Sequence, residues 1–418
     1  MKKKFLSVVS ALIIGASALA APMSSFAEDT DDVIELQTTN DIFGLSDGLF
    51  DYMDFDGDNK GLGAILREYY NYPNSCFITV DYTYDTNSLE ILQESKTEVE
   101  GAKVVVLSTG LGDYLKAVSD LAEEKYPDDF SEEDPFGSLI SIAKKISTSE
   151  NATAEFTAFI AGLRSSFADT TESALENAKK LCAAVKAYNP DCRIIFTTAY
   201  NPVLVSESGL NTLLKGRPAL FSTGYTMLRN VFKNSFDEYN EGLKKIKGIE
   251  IADVASAFTL ASSDGNYGYA DVYTDVISSD EHSIYPNALG TVAAANAIIK
   301  TIGYSDNYTK NESDEIEDYL LSFYDKYPAA QRKELRSTLG IILGDSDRNN
   351  TIDASDASTA LSVYSAVQTG SELSSVVDKR LCIALDIDGN GVVDASDASA
   401  ILAHYADVQS GGNGTLNV

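Results

Sequence analysis

One pattern of acidic and amide residues occurs twice near the carboxyl terminus, and it constrains the chain more than any other feature. The two copies are 41 residues apart, counted from Asp345 to Asp386. Each copy places an oxygen-bearing side chain at positions 1, 3, 5, 9 and 12 of a short loop, and leaves a backbone carbonyl free at position 7. Such a loop surrounds a hard cation that takes six to eight oxygen ligands. The sequence therefore predicts two bound Ca²⁺ ions, with these ligands: Asp345, Asp347, Asn349, Thr351, Asp353 and Asp356 in the first loop, and Asp386, Asp388, Asn390, Val392, Asp394 and Asp397 in the second.

Nearly the same helix pattern follows both loops. Residues 354–364 and 395–405 begin with the same five residues, Ala-Ser-Asp-Ala-Ser, and share a leucine and a tyrosine further along. The sixth loop position is Gly391 in the second copy and Asn350 in the first, and asparagine accepts the left-handed turn required there. The chain thus contains an internal repeat of a loop and a helix.

This repeat, over residues 338–408, resembles a dockerin, the module that attaches enzymes to cellulosomes. The resemblance implies calcium-dependent docking onto a cohesin module of a scaffoldin, with loop positions 10 and 11 facing the cohesin. Those positions hold Ala354 and Ser355 in the first copy, and Ala395 and Ser396 in the second. Two identical faces imply two possible orientations of the docked module. Good helix-starting chemistry explains the same residues without a partner, and both hypotheses stay open.

The amino-terminal segment predicts export. Three lysines at positions 2–4, an apolar run over residues 5–21 and the small residues around Ala27 are typical of a secretory signal peptide covering residues 1–27. We therefore expect a secreted, extracellular protein that associates with a cellulosome. The formal net charge of −31 argues against nucleic acid and anionic membranes as partners.

Strand and helix patterns alternate over residues 28–304, which predicts an α/β domain. The continuous β-branched runs at residues 103–108 and 193–198 are typical of buried parallel strands, and a helical stripe over residues 172–187 lies between them. We expect a flavodoxin-like, three-layer fold with a parallel sheet, whose ligand site lies beyond the carboxyl ends of the strands. Residues 131–171 are predicted to form a helical insertion over those ends, as a lid or a binding surface.

Further elements complete this prediction: strands over residues 33–36, 76–80 and 249–254, an amphipathic segment over 63–72, and a last helix over 287–302. Residues 305–337 are predicted as a linker with a helix, followed by the small all-α dockerin-like module. The tail over residues 409–418 is predicted to be disordered. Cys182 and Cys192 are the best candidates for a disulfide in a secreted chain, but reduced thiols are an equally good interpretation.

Three strand-end segments, over residues 104–115, 199–202 and 280–290, resemble SGNH or GDSL-type hydrolases. The resemblance implies a serine nucleophile after the first strand, glycine and asparagine donors for the oxyanion, and an aspartate and a histidine near the end of the domain. On this chain the last pair is Asp280 and His282. An activated hydroxyl, a base and oxyanion donors are the physical requirements of that chemistry.

The sequence departs from this pattern at three positions. The segment matched to Gly-Asp-Ser is residues 40–42, which places Ile42 at the nucleophile position, while Gly112 replaces the asparagine and Tyr82 replaces a glycine. These losses favour a catalytically degenerate domain that binds plant cell-wall carbohydrate or another protein. The alternative is an active carbohydrate (acetyl) esterase that acts on hemicellulose. It would use Ser46, within the Gly-x-Ser-x-Gly pattern of residues 44–48, together with His282. The simpler interpretation is that this pattern is accidental in a glycine-rich loop, with Ser46 as a cap of the next segment.

Overall fold

The structure, a computed structural model, describes residues 42–47, 49, 77–81, 87–131, 135–204, 219–258, 270–274, 285–303, 320–325, 327, 329–369, 378–414 and 416. The described residues fall into two compact units, divided between Ser313 and Asp314. The predicted signal peptide, the predicted strand over residues 33–36 and the amphipathic segment over 63–72 lie outside the described residues.

The first unit is built on a parallel sheet of five strands in the order β2-β1-β3-β4-β5. This sheet confirms the predicted α/β class with a parallel sheet. Its central strands are buried on both faces, which is why their sequences are continuous apolar runs. The strand bounds are β1 Ile42–Ser46, β2 Phe77–Asp81, β3 Val104–Ser108, β4 Arg193–Thr197 and β5 Glu250–Ala252.

Nine helices accompany this sheet in the described residues of the first unit. They are α1 Ser88–Glu94, α2 Lys96–Gly101, α3 Leu111–Lys125, α4 Pro135–Thr148, α5 Ala152–Tyr188, α6 Ala219–Leu243, α7 Val254–Ala257, α8 Ala270–Tyr273 and α9 Ala288–Ile302. The last of them confirms the predicted helix over residues 287–302. It begins where the Asn287 side chain accepts a hydrogen bond from the Gly290 amide at 3.0 Å.

The position of β1 corrects the sequence analysis. Ile42 is the first residue of β1 and pairs with Val104, the first residue of β3, so it lies at the amino edge of the sheet. Ligand sites in such sheets lie beyond the opposite edge. The assignment of Ile42 to the nucleophile position is therefore wrong. Ser46 is the residue at the carboxyl end of the strand, and it pairs with Ser108.

Helix α5 is much longer than the sheet is tall. Its end lies at the amino edge, because the Asn189 side chain donates to the carbonyls of Val99 at 2.9 Å and Ala102 at 2.7 Å, just before β3. A strand of five residues spans about 17 Å, the length of about 11 helical residues. The part of α5 that precedes residue 177 or so therefore projects beyond the carboxyl edge, where Tyr114 bonds Thr171 at 2.6 Å.

Helix α6 projects in the same way, since the Asn240 amide binds Ala199 near the end of β4 and residues 219–239 precede it. We call α3, α4, residues 152–176 of α5 and residues 219–239 of α6 the helical cap. It agrees with the predicted helical insertion, but it starts earlier, at α3. Within it, Phe156 of α5 packs directly against Gly224 of α6.

The second unit contains the two loop-and-helix repeats. Its described helices are α10 Ala329–Thr338, α11 Ala354–Thr369, α12 Lys379–Leu385 and α13 Ala395–Gln409. Helices α11 and α13 follow the two loops and contribute to one shared core at equivalent positions, with Ala357 matching Ala398 and Ala360 matching Ile401. The internal repeat that the sequence predicts is thus also a structural repeat.

The bounds of this unit differ from those predicted. Leu320 and Leu335, which were predicted to belong to a linker, are fully buried within the second unit. Lys379 forms an ion pair with Asp325 at 2.7 Å, which joins this segment to α12. The tail also differs from the predicted disorder, because the Gly414 amide donates to Asp407 at 3.1 Å and Leu416 packs against the core.

Candidate functional site

The carboxyl ends of β1 and β3 bring Ser46 next to the start of helix α3. Ser46 is the last residue of β1 and is fully buried. Its hydroxyl oxygen accepts a hydrogen bond from the Leu49 amide at 2.9 Å, which closes the turn after the strand. The neighbouring strands on the two sides of β1 are β2 and β3, so Ser46 lies where the strand order reverses. Such a switch point is the usual ligand site of an open parallel sheet.

Asp47 follows Ser46 and is almost entirely buried. Its carboxylate accepts a hydrogen bond from the Gly112 amide at 2.8 Å, in the first turn of α3. Its own amide donates to the Ser108 carbonyl at 3.1 Å. Burial, with a smaller contribution from the charge of Asp113, raises the pKa of Asp47 to about 7, although the hydrogen bond from the Gly112 amide acts in the opposite direction. Burial also raises the pKa of Asp113, to about 6. Asp47, which follows Ser46 in the chain, and Asp113 are therefore two carboxyl groups whose pKa values are raised towards neutral pH.

The turn between β3 and α3 depends on Gly110. Its φ is +106°, and a Cβ there would lie 2.6 Å from Cε1 of Tyr239. Tyr239 is fully buried and donates its hydroxyl to the Thr109 carbonyl at 2.9 Å. Only glycine fits this turn, because the backbone is left-handed and the tyrosine ring covers it. Helix α6 thus holds the turn that presents the Gly112 amide to Asp47.

The structure brings some of the predicted site residues together. Ser46 and the segment 110–113 lie at the same edge of the sheet. Asp280, His282 and Tyr82 lie outside the described residues. Burial raises the pKa of Tyr200, and the charges of Tyr285 and Asp47 add to this effect.

Asp47 is the site residue that the sequence analysis missed. Its signal was present, since an aspartate directly after a buried strand and before a glycine is out of place in a core. The pattern was attributed to a glycine-rich loop because β1 was not recognised. Chemically, the edge offers a serine hydroxyl, a backbone amide donor and two carboxyl groups, which are components of acyl-transfer and acid–base catalysis.

A second candidate site is formed by the two loops of the second unit. In each loop the carboxylate oxygens of three aspartates lie within 4.8 Å of one another: Asp345, Asp347 and Asp356 in the first loop, and Asp386, Asp388 and Asp397 in the second. The loop conformation agrees with the predicted pattern, since φ is +62° at Asn350 and +87° at Gly391. Three converging carboxylates repel one another unless a cation or protons compensate their charge.

Asp386 shows best that the loops fit a cation. It is 8% exposed, and its Oδ1 atom has no hydrogen-bond partner in the part of the chain that the structure describes. Burial raises the pKa of Asp386, with further contributions from the charges of Asp397 and Asp388. An oxygen-only donor set with an unsatisfied buried carboxylate fits a hard ion such as Ca²⁺.

The remaining predicted ligands organise the loops. Asn349 and Asn390 accept hydrogen bonds from the amides two residues further on, at 2.7 Å and 2.8 Å. Asp353 and Asp394 accept bonds from the amides of Ser355 at 2.6 Å and Ser396 at 2.7 Å, at the starts of α11 and α13. Position 9 of such loops often reaches the ion through water, which agrees with these capping contacts. At position 7, Thr351 and Val392 are exposed residues whose backbone carbonyls are the predicted ligands.

The predicted docking residues lie at equivalent places on the surface. Ala354 and Ser355 begin α11, Ala395 and Ser396 begin α13, and all four are exposed. The structure adds a further matched pair that the sequence analysis noted only as part of the repeat. Leu361 is 45% exposed and Leu402 is 44% exposed, one on each helix.

Comparisons with known proteins gave structural likenesses only. No protein-family model and no curated protein matches the chain. A lipase from a goat rumen metagenome superposes with a TM-score of 0.36 and 14% identity, covering 63% of this chain and 98% of the lipase. An extracellular lipase from Streptomyces rimosus gives 0.40 and 16%, covering 63% and 100%. Phospholipase A1 from Streptomyces albidoflavus NA297 gives 0.36 and 12%, covering 62% and 98%.

Likenesses at these TM-scores carry no argument about activity, so the chemistry has to be argued from the residues themselves. None of the helices in the described parts of the chain combines the length and the hydropathy that a membrane span requires.

Proposed function

We propose that the second unit binds two Ca²⁺ ions and docks the protein onto a cohesin module of a scaffoldin. The observation that carries this proposal is the pair of three-carboxylate clusters at equivalent loop positions. One acidic cluster is common on an acidic protein. Two clusters at the same repeat positions, one with an unsatisfied buried carboxylate oxygen, favour a specific role.

Calcium and docking are linked by the position of the loops. The first turns of α11 and α13 carry Ala354, Ser355, Ala395 and Ser396, and they follow directly on loop position 9. An ion that neutralises each cluster would fix these helix starts relative to each other. Without it, repulsion between carboxylates would loosen both. Docking should therefore require calcium.

Leu361 and Leu402 support a protein partner. The only large apolar side chains of the described residues that are strongly exposed all lie in the second unit, and these two are related by the repeat. In one orientation a cohesin would cover Leu361 together with the Ala-Ser pair that begins α11. In the opposite orientation it would cover Leu402 together with the Ala-Ser pair that begins α13. Covering one leucine removes an exposed apolar side chain from water, worth about 1 kcal/mol or more.

The first experiment is calorimetric titration of the calcium-free protein with CaCl₂. We expect two bound ions for the wild type and one for Asp386→Asn, with Asp120→Asn in the first unit as the control. Capture on a panel of purified cohesins, with calcium and with EDTA, tests docking. Leu361→Lys and Leu402→Lys should each retain binding, and the double variant should lose it. Loss in a single variant would exclude two orientations, and the absence of bound calcium would exclude the whole proposal.

The same proposal places the protein outside the cell. The amino-terminal residues 1–27 have the charged, apolar and small-residue regions of a signal peptide. We propose that the mature chain is secreted and becomes associated with a cellulosome through its second unit. Amino-terminal sequencing of the protein recovered from the medium tests cleavage after Ala27.

A second function, ester hydrolysis by the first unit, is favoured by the position of Ser46. The case for a non-catalytic domain depended on Ile42, Gly112 and Tyr82, and the assignment of Ile42 to the nucleophile position is wrong. We propose that the Ser46 hydroxyl attacks the ester carbonyl, while His282, oriented by Asp280, takes its proton. The alcohol then leaves with that proton, and water hydrolyses the acyl-serine. Backbone amides at the start of α3 would stabilise the oxyanion, and acetyl groups on hemicellulose are the proposed substrate.

Hydrolysis of an aryl acetate and of acetylated xylan by the mature protein tests this function. Ser46→Ala and His282→Ala should each reduce kcat at least a hundredfold. Ser108→Ala is the matched control, because Ser108 ends the neighbouring strand at the same edge. Equal background rates in all four proteins would contradict hydrolysis and leave the binding of carbohydrate or protein as the function of this unit.

A further inference from the structure

A cleft of about 400 Å³ opens at the carboxyl ends of β4 and β5, on the side of the sheet away from β2. Helix α6 forms one wall, and the segment from β5 into α7 forms the other. This volume lies within the range of small-molecule sites, and the carboxyl edge of a parallel sheet is where such sites occur. No step of the proposed docking or hydrolysis uses this cleft.

The base of the cleft is aromatic and fixed. Tyr200, Phe236 and Phe258 line it, and all three are nearly buried. The rings of Tyr200 and Phe258 lie with their centroids 4.6 Å apart. Asn240 and Ala199 also line the cleft, and the Asn240 side chain binds both the amide and the carbonyl of Ala199, each at 2.9 Å. The cleft is therefore a rigid, preformed shape with apolar surface at its base.

The rim of the cleft carries two lysines and three carboxylates, and each lysine is paired with a carboxylate. Lys233 pairs with Asp237, and Lys244 pairs with Glu241 at 2.8 Å. Asp253 accepts hydrogen bonds from Ser256 and Thr198. These bonds and the charge of Lys244 hold its pKa below the usual value, although burial acts in the opposite direction. Each lysine of this lining is therefore balanced by a carboxylate, and the third carboxylate, Asp253, already accepts hydrogen bonds at both oxygens.

Paired charges still offer hydrogen bonds to a neutral ligand. An ammonium group has three donors, and a carboxylate has about four acceptor sites, so each pair on the rim keeps both kinds of group available. Hydroxyl groups use both, because each donates and accepts. An anionic ligand would in addition be repelled by the protein, whose formal net charge is −31. The cleft thus favours a neutral molecule with an apolar face and many hydroxyls.

We propose that this cleft binds a neutral, hydroxyl-rich ring of the size of one sugar unit. The C–H face of the ring would lie towards the aromatic base, and its hydroxyls would bond to the rim of α6. This inference goes beyond the proposed docking and hydrolysis, since binding here needs neither calcium nor Ser46. If the first unit does hydrolyse esters, the cleft is a place for the part of the substrate that does not react.

The test is a titration of the full-length protein with four monosaccharides. Binding is measured by NMR saturation transfer and by calorimetry. Xylose and glucose are the neutral probes, glucuronate carries a negative charge and glucosamine a positive one. We expect both neutral sugars to bind at least tenfold more tightly than either charged sugar. A preference for a charged sugar, or no binding of any of the four, would overturn the proposal.

Two matched variants locate the binding. Ala255 lines the cleft and Ala257 does not, although both belong to the short helix α7. Ala255→Tyr should fill the cleft and weaken binding at least tenfold, whereas Ala257→Tyr should leave it unchanged, with equal thermal unfolding in both. Ser46→Ala should bind as the wild type does, which separates this inference from ester hydrolysis. Unaltered binding in Ala255→Tyr would place the sugar elsewhere and contradict the proposal.

Discussion

At the scale of single residues, Asp47 is the most unusual side chain in the first unit. It is 4% exposed, and its carboxylate accepts a hydrogen bond from the Gly112 amide. This bond lowers its pKa, but the larger effect of burial raises the pKa from 3.8 to about 7. Between these two values the unfolded chain loses the proton and the folded protein keeps it. Stability from this group therefore falls as pH rises from about 4 to about 7 and is constant above that.

Asp47→Asn should remove this loss of stability at high pH, because the asparagine side chain stays neutral. Its oxygen can still accept the hydrogen bond from the Gly112 amide. The pKa shift corresponds to at most about 4 kcal/mol. We expect the variant to be more stable than the wild type at pH 8 and close to it at pH 4, in urea unfolding of the first unit. Asp120→Asn, at an exposed position on α3, should change stability by no more than about 0.5 kcal/mol at either pH. A gain of equal size at both pH values would contradict the assignment.

Sequence patterns predicted some site residues and missed others, for physical reasons. The carboxylate loops were predictable because calcium ligation fixes residue types at fixed spacing within one segment. Asp47 was missed although its position in the sequence is unusual, because its role depends on Gly112, which is 65 residues away along the chain. Ser46 was noticed but attributed to a loop, since Gly44 and the glycine after Asp47 are typical of turns.

At the scale of elements, the close packing of α5 against α6 depends on glycine at the contact. A Cβ at Gly224 would lie 2.4 Å from Cζ of Phe156, a rigid ring that is nearly buried. Gly224→Ala should therefore push the two helices apart and destabilise the first unit by about 1 to 3 kcal/mol. Thermal or urea unfolding measures this loss.

Gly101→Ala is the matched control, because nothing lies within 4 Å of a Cβ at that position. Alanine there should leave the stability of the first unit unchanged or raise it slightly. If both substitutions had the same effect, the tight contact between α5 and α6 would not be important for the cap.

The strands that the sequence predicted correctly are those composed mainly of strand-forming residues. Strands β3 and β4 are runs of β-branched and aromatic residues, and their bounds agree with the prediction to within one residue. Strand β1 was missed because its five residues include Gly44 and Ser46. Only the second half of α5 was assigned as the crossover helix, since its first half packs against other helices and has no strand to follow. The continuity of this helix is a tertiary property.

At the scale of the whole molecule, the acidic clusters predict that calcium stabilises one unit selectively. Each occupied site raises the free energy of unfolding, and the increase grows with the logarithm of the ratio of free calcium concentration to Kd. It is about 2.7 kcal/mol when the free calcium concentration is a hundred times Kd. We expect two transitions in calorimetry of the full chain, of which only the one from the second unit moves to higher temperature with calcium. Asp397→Asn should reduce that shift. A shift of both transitions would contradict independent units, and no shift would contradict calcium binding.

Helix α5 has a consequence for how this architecture can be altered. One uninterrupted helix of 37 residues belongs to the cap at its start and to the layer that covers the sheet at its end. Helix α6 is shared in the same way. The cap is therefore not a removable cassette: deleting it would cut two helices in their middle and remove Tyr239, the ring that covers Gly110 and bonds the Thr109 carbonyl. Smaller versions of this domain would have to be reached by shortening both helices in register, one turn at a time.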